Sequence, residues 1–400
     1  MGLNDVVSAE RLHIGFFGMR NAGKSSLVNA VTGQALSVVS NVKGTTTDPV
    51  KKAMELLPLG PVVILDTPGM DDEGDLGQLR VEKARAALAQ TDIAVLVVDA
   101  SVGMTGTDRD LVKELEARKL PHIIAYNKAD LLTERPTLDG KSLYVSAADG
   151  EGIHELKERL GTFAKAKKNP KVLVADLLSP GDLVVLVTPI DESAPKGRLI
   201  LPQQMTLRDI LDAHAVAIVC QDTELKQTLE SLGRKPRMVI TDSQAFGKVA
   251  RIVPADIPLT SFSILMARYK GDLRALVQGA AELRKLRDGD RVLISEGCTH
   301  HRQCNDIGTV KMPGWIEQFS GAKPDYTFTS GGEFPQDPAG YRVIVHCGGC
   351  MLNEAEMQHR IARAAEAGVP IVNYGIAIAG MHGILERSLE LFPDILALLH

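Results

Sequence analysis

The sequence predicts an α/β protein in which a P-loop nucleotide-binding domain is followed by two smaller α/β domains. Three observations predict it. Apolar runs of strand length alternate with segments of helical period along almost the whole chain. The first run, residues 12–18, leads into a glycine-rich loop ending in Gly23, Lys24 and Ser25, and that loop opens a helical segment. The chain also has 400 residues, more than one hydrophobic core usually serves.

The elements follow in order. Strand-like runs lie at 12–18, 62–66, 93–99, 123–127 and 142–146, with helical segments between them at 25–32, 76–89, 108–118 and 152–165. Residues 50–57 read as one more strand, joined as a hairpin to 62–66 across Pro58 and Gly60. These elements make a first unit over residues 1–168. A polar stretch at 165–170 is the linker candidate. The second unit, residues 171–266, holds runs at 183–188, 216–220 and 238–241 and a helical segment at 205–212. The third, residues 267–400, opens with a helix over 272–286 that lines up Leu273, Leu276, Val277, Ala280, Leu283 and Leu286. Its strands are expected at 291–295, 326–329, 342–346 and 370–374.

Composition narrows the function classes. Hydrophobic residues make up 44% and charged residues 24%, as in ordinary globular proteins. The net charge of −5 argues against a general nucleic-acid binder. No apolar run reaches the roughly 18 residues that span a bilayer, and residues 1–11 lack the apolar stretch of a signal peptide. A cytoplasmic protein without membrane or nucleic-acid partners is expected. Five cysteines, unevenly placed, do not make a disulfide framework. In a reducing compartment, clustered cysteines bind metal or do redox work.

Gly18, Gly23, Lys24 and Ser25 fit the pattern G-x-x-x-x-G-K-S in the strand–loop–helix context it requires. Backbone N–H groups of such a loop, here including Ala22 and Ser26, cradle phosphate oxygens at a helix N-terminus. Lys24 reaches the β- and γ-phosphates, and the Ser25 hydroxyl binds Mg²⁺. Asp66, at the end of the next strand, opens D-T-P-G; it can hold a water on Mg²⁺ while the Gly69 N–H contacts the γ-phosphate. Asn127, Lys128 and Asp130 belong to N-K-A-D. A carboxylate there accepts from guanine N1–H and the 2-amino group, a pair that adenine lacks. Charged hydrogen bonds contribute about 1.5–3 kcal/mol each, so two can favour guanine by about a hundredfold or more. A backbone N–H at Ser146 or Ala147 can reach guanine O6. The expected ligands are GTP or GDP with Mg²⁺.

This ordered set resembles the G1, G3, G4 and G5 elements of translation-factor-class GTPases over residues 10–165. Residues 43–48 resemble switch I of the Era/TrmE type, which implies that Thr46 closes on Mg²⁺. Asn21 stands where potassium-activated members carry an asparagine, implying K⁺ beside the phosphates; a loop residue that tolerates positive φ is the plainer reading. Met70 stands where Ras-like proteins carry a water-orienting glutamine. Turnover of about 10⁻² per second or below is expected, with Lys24, Thr46 and Gly69 as the catalytic set.

Four of the five cysteines lie in the last third. Cys298 and His300 form C-x-H after one predicted strand. His346, Cys347 and Cys350 form H-C-x-x-C after another. Both clusters fall beyond carboxyl ends of strands, the edge where open α/β sheets bind ligands. Thiolates suit iron–sulfur clusters and zinc. Three cysteines leave a fourth position for His300, His346, Cys304 or an exchangeable group, and a three-Cys, one-His zinc site fits the same residues.

An Era/TrmE-like G domain joined to C-x-H and a distant H-C-x-x-C resembles the [FeFe]-hydrogenase maturation GTPases over all three units. The resemblance implies a G domain at 1–168, a dimerisation domain at 171–266 that makes a homodimer, and a domain at 267–400 carrying a [4Fe–4S] cluster. It also implies a scaffold and carrier for a transient diiron precursor, working with radical-SAM hydrogenase maturases and delivering to the apo-[FeFe]-hydrogenase. Two other readings fit the G domain: a GTPase of tRNA modification or ribosome assembly, and a zinc-stabilised regulatory GTPase.

Overall fold

In the computed structural model, residues 10–34, 50–70, 74–166, 172–189, 199–297, 307–349 and 352–399 are described. The chain forms two compact units, Met1–Asn169 and Pro170–His400.

The first unit is one six-stranded sheet. In chain order its elements are β1 (Leu12–Phe17), α1 (Lys24–Thr32), β2 (Val50–Leu56), β3 (Gly60–Asp66), α2 (Gly74–Ala89), β4 (Ile93–Asp99), α3 (Gly106–Ala117), β5 (His122–Asn127), β6 (Ser142–Tyr144) and α4 (Ile153–Ala166). The strand order is β2-β3-β1-β4-β5-β6. Only edge strand β2 runs antiparallel to its neighbour, as the predicted hairpin, with Leu56 opposite Gly60. A parallel sheet is covered on both faces, so its central strands are apolar throughout. Successive side chains of β4 show this. Ile93, Val95 and Val97 enter one core with Leu27, Leu156 and Leu160, while Ala94, Leu96 and Val98 enter another with Leu88, Leu111 and Leu115. Helix α3 starts at a capping box: the Thr105 hydroxyl accepts from the Asp108 N–H at 3.2 Å, and the Asp108 carboxylate accepts from the Thr105 N–H at 2.9 Å.

The second unit contains two four-stranded, all-parallel sheets. The first uses β7 (Leu183–Val187), α5 (Leu201–Asp212), β8 (Val216–Cys220), α6 (Leu225–Ser231), β9 (Met238–Thr241), α7 (Phe246–Ile252) and β10 (Leu259–Ser261), in strand order β10-β9-β7-β8. Then come α8 (Phe262–Lys270), α9 (Leu273–Glu282), β11 (Arg291–Glu296), α10 (Met312–Ser320), β12 (Asp325–Ser330), β13 (Val343–His346), α11 (Glu354–Glu366), β14 (Ile371–Asn373) and α12 (Tyr374–Met381). The second sheet has the order β12-β11-β13-β14.

One core runs through both sheets. Val184, Leu186 and Met238 share it with Ile264 and Leu265 of α8, Leu276 and Val277 of α9, and Val292, Ile294 and Val345 of the second sheet. The sequence reading ends its second domain at Met266. Helix α8 runs through that residue, because its apolar face belongs to the shared core. The C-terminal segment ties back as well. The Arg387 guanidinium donates to the carbonyls of Pro254, Ala255 and Ile257, each at 2.9 Å.

The packing of α9 on β14 depends on Gly279. A Cβ built there would lie 2.1 Å from the Ile371 carbonyl oxygen, where backbone cannot yield cheaply. Gly279→Ala should therefore destabilise the second unit by about 1–3 kcal/mol, the usual cost of overpacking. Urea unfolding measures this; an unchanged midpoint would refute the close approach.

Candidate nucleotide site and metal centre

The phosphate loop connects β1 to α1. Its two glycines are needed for close approach as well as for their dihedral angles. Gly18 has φ 139° and a Cβ there would lie 2.2 Å from the Val97 carbonyl oxygen. Gly23 has φ 86° and a Cβ there would lie 2.3 Å from Asn127 Nδ2. Between them, exposed Asn21 holds φ 62°, a left-handed conformation that asparagine tolerates. Helix α1 has Gly23 as its N-cap, with no side-chain cap and no acidic residue in its first turn. Its leading N–H groups are therefore placed to be capped by an anion. Lys24 is 7% exposed, and its ammonium donates to the carbonyls of Gly18 (3.0 Å) and Met19 (2.8 Å), which holds it over the loop.

The Ser25 hydroxyl donates to Asp66 Oδ2 at 2.7 Å. Asp66 is 2% exposed, and its Oδ1 is buried with no hydrogen-bond partner among the described residues. A buried carboxylate oxygen without a partner is costly in a folded protein. A hydrated Mg²⁺ beside Ser25 would satisfy it, so the residues present fit that ion. Thr67 fastens the following turn to β1, with its N–H (3.3 Å) and hydroxyl (2.6 Å) both donating to the Phe16 carbonyl. Gly69 passes so close to Arg20 that a Cβ would lie 2.9 Å from the Arg20 backbone. Met70 turns into the core with Phe17 and Leu88. Thr46 and the rest of 35–49 lie outside the described residues, as do 71–73 of the second switch segment.

Asn127 joins the two halves of the nucleotide site. Its side-chain amide donates to the Ala22 carbonyl at 2.9 Å, and its Oδ1 accepts from the Ala147 N–H at 3.1 Å. The phosphate loop and the loop after β6 are therefore held by one buried residue. The predicted N–H for guanine O6 is not presented as expected: Ser146 N–H donates to the Glu151 carbonyl at 2.9 Å, and Ala147 N–H is taken by Asn127. The buried Ser146 hydroxyl instead accepts from the N–H groups of Ala148 (3.3 Å) and Asp149 (3.4 Å). Asp130 is exposed, open to a base. Lys128 has φ 65° and its ammonium pairs with Asp99, which the sequence reading did not single out. Burial pushes the Asp99 carboxyl up, but the Lys128 and Ser101 donors outweigh it and hold it below the ordinary carboxylate range. Strand register brings it there, since Asp99 ends β4 directly opposite Asn127 on β5.

The second candidate centre lies at the carboxyl edge of the β11–β13 sheet. Ser295 and His346 stand opposite each other in register, so Gly297 and Cys347 emerge side by side. The Cys347 N–H donates to the Ser295 carbonyl at 2.9 Å. The Cys347 sulfur accepts from the N–H groups of Gly297 (3.0 Å) and Gly349 (3.4 Å). Both positions demand glycine. A Cβ on Gly297 would lie 2.6 Å from Leu352 Cγ, and one on Gly349, at φ 63°, would lie 2.6 Å from Met357 Sδ. Backbone N–H donors aimed at a sulfur stabilise a thiolate and tune a cluster bound to it, so Cys347 fits a thiolate ligand. Cys298, His300, Cys304 and Cys350 lie outside the described residues.

His346, a candidate fourth ligand, has both ring nitrogens engaged within the protein. Nδ1 is 2.7 Å from the Cys347 carbonyl oxygen, and Nε2 is 3.0 Å from Arg360 Nη1. Arg360 is 0% exposed. It also donates to Glu356 Oε1 (2.8 Å), the Ser295 hydroxyl (3.3 Å) and the Gly331 carbonyl (2.8 Å), and it lies over the Phe334 ring. Neither Arg360 nor Glu356 belongs to a recognisable motif. Their one sequence signal is the i, i+4 spacing of opposite charges on a helix.

Because Asn127 spans both nucleotide loops, Asn127→Ala leaves the Ala22 carbonyl and the Ala147 N–H without it. At about 1–3 kcal/mol per stranded buried group, guanine-nucleotide affinity should fall by tenfold or more. Titration with a fluorescent GDP reads this directly; wild-type affinity would refute the brace.

Comparison with known proteins gives a consistent assignment. Residues 13–128 match the 50S ribosome-binding GTPase domain. Residues 173–271 match the Hydrogen maturase F dimerization domain and residues 274–391 the Hydrogen maturase F tetramerization domain. Curated relatives include the tRNA modification GTPase MnmE of Nitrosomonas europaea, 35% identical over 38% of this chain and 34% of that protein. They include GTPase Der of Kosmotoga olearia, 30% identical over 50% of this chain and 49% of that protein. GTPase Era of Rippkaea orientalis is 31% identical over 54% of this chain and 69% of that protein. The chain thus spans a third to a half of the length of the MnmE and Der relatives. Two adjacent maturase domains fill most of the second unit and a GTPase domain fills most of the first, and the chain belongs to the hydrogen maturase F family.

Proposed function

We propose that this protein is a GTP-hydrolysing scaffold and carrier in [FeFe]-hydrogenase maturation, holding a [4Fe–4S] cluster at the Cys347 edge. The observation that carries the reading is the Cys347 sulfur, met by two backbone N–H donors at a sheet edge, in a chain that also has a guanine-nucleotide site. Cys298 and Cys350 supply the other thiolates. The maturase domains favour this over tRNA modification, the role named for MnmE. The diiron precursor is cargo, taken from radical-SAM maturases and passed to the apo-hydrogenase in the cytoplasm.

In the G domain, Ser25 would hold Mg²⁺ and Asp66 a water on it, and the ion would neutralise phosphate charge. Lys24 and the N–H groups of the loop through Ser26 bind the phosphates, and Asp130 accepts from the guanine edge. Thr46 would close on Mg²⁺, the Gly69 N–H would contact the γ-phosphate, and a K⁺ beside Asn21 would supply the charge of an arginine finger. A domain family named for dimerization covers the β7–β10 sheet. Its edge strand β8 leaves Val216 46% and Val219 42% exposed, an apolar edge suited to a second copy. No helix among the described residues is long and apolar enough to cross a membrane.

Cys347→Ser should strip most iron and sulfide from anaerobically purified protein while GTP turnover persists. Full iron content in that variant would refute the cluster assignment. For potassium, Asn21→Gly keeps the left-handed backbone but removes the amide. Replacing Na⁺ with K⁺ should raise kcat by about tenfold or more, within what an arginine finger supplies, and that gain should vanish in Asn21→Gly. Equal K⁺ stimulation in both proteins would leave Asn21 as a turn residue.

A further inference from the structure

We infer that His346 is a positioning residue and not a metal ligand: Arg360 fixes its neutral Nδ1–H form, and that N–H holds the Cys347 peptide. This rests on the reading that Cys347 binds the cluster.

The tautomer follows from donor chemistry. A guanidinium has five N–H donors and no acceptor, and it stays protonated in proteins. Arg360 Nη1 lies 3.0 Å from His346 Nε2, so Nε2 must accept with its lone pair. The proton of a neutral ring then sits on Nδ1, which donates to the Cys347 carbonyl at 2.7 Å. A ring arranged this way has no lone pair left for a metal. Nor can the guanidinium swing aside, since Glu356 and the Gly331 carbonyl hold its other two nitrogens and Nη1 also donates to the Ser295 hydroxyl.

The output of this relay is the geometry of one residue. Cys347 is fixed at its N–H by the Ser295 carbonyl, at its sulfur by Gly297 and Gly349, and at its own carbonyl by His346. Ser295 also accepts from Arg360 and from the Thr329 hydroxyl at 3.0 Å. One buried arginine therefore orients both residues that grip the Cys347 backbone. Partners behind a ligand act in this way at metal sites, by fixing orientation and tautomer. Arg360 also sets the local field, because it offsets the buried carboxylate of Glu356.

The test uses the full chain. In the iron-free protein with ¹⁵N-labelled histidine, the His346 resonances are found by comparison with His346→Asn. They should report a neutral ring protonated at Nδ1, and Arg360→Met should release that preference. A ring protonated at Nε2 in the unmodified chain would overturn the relay. After anaerobic reconstitution, His346→Asn, whose amide N–H can stand in for Nδ1–H, should keep its iron and sulfide. His346→Ala should keep iron but shift the EPR signal of the reduced cluster. Arg360→Met should move the reduction potential to more negative values, with Arg360→Lys restoring part of the shift. A strongly coupled imidazole nitrogen in pulsed EPR of the unmodified protein, lost in His346→Asn, would make His346 a ligand and refute the inference. If the unmodified chain takes up no iron, the cluster reading fails, and the tautomer still decides the Arg360–His346 relay.

Discussion

The constraint on which everything else depends is the parallel strand. Two parallel neighbours can be joined only by a crossover that returns the chain to its starting end, so helices cover the faces and loops gather at the ends. All three sheets obey this, with β2 as the one antiparallel exception. The loops at the carboxyl ends then hold the chemistry. The phosphate loop leaves β1, Asp66 ends β3, Asn127 ends β5, and His346 ends β13 with Cys347 next to it. Each functional group is held by a rigid strand on one side only, which leaves the other side open to a ligand.

Both candidate centres use the same device on different anions. At the nucleotide site, a helix N-terminus and the turns at Gly18 and Gly23 present backbone N–H groups suited to phosphate oxygens. At the cysteine edge, Gly297 and Gly349 present N–H groups to a sulfur. A fixed dipole needs no reorganisation when the charge arrives, and that is why a preformed N–H cradle is effective. Each centre is also cross-braced by a buried polar side chain that reaches between strand ends. Asn127 links two loops of the first sheet, and Arg360 links Ser295 of β11 with His346 of β13.

What the sequence made legible follows from where the signal is stored. Strands buried on both faces read as unbroken apolar runs, so the ends of β4 and β9 match the runs at 93–99 and 238–241. Helix α9 shows as a stripe of Leu273, Leu276, Val277 and Ala280. Helices α6 and α7 have 7 residues each, barely two turns and too few for a period to emerge. Helix α11 is longer, but the residues it buries include Glu356 and Arg360, so its inward face does not look apolar. Lys24, Ser25 and Asp66 were legible because phosphate chemistry imposes spacing along the chain. The partners Asp99 of Lys128 and Arg360 of His346 were not, because strand register in the first case and the packing of helix α11 in the second bring them together across 29 and 14 residues.

The Arg360 network itself argues for a role beyond stability. Burying a guanidinium with a carboxylate forfeits hydration that the pair seldom recovers, and apolar replacements of such pairs are often neutral or stabilising. Here the pair is also imperfect, because Glu356 Oε2 is buried without a hydrogen-bond partner among the described residues, a defect that costs about 1–3 kcal/mol. An apolar residue at 360 could fill the core. It could not hold the imidazole in one tautomer or tie Ser295 to His346. Packing therefore gives no reason for an arginine at this position, whereas the proposed role of Cys347 as a thiolate ligand held in one orientation does.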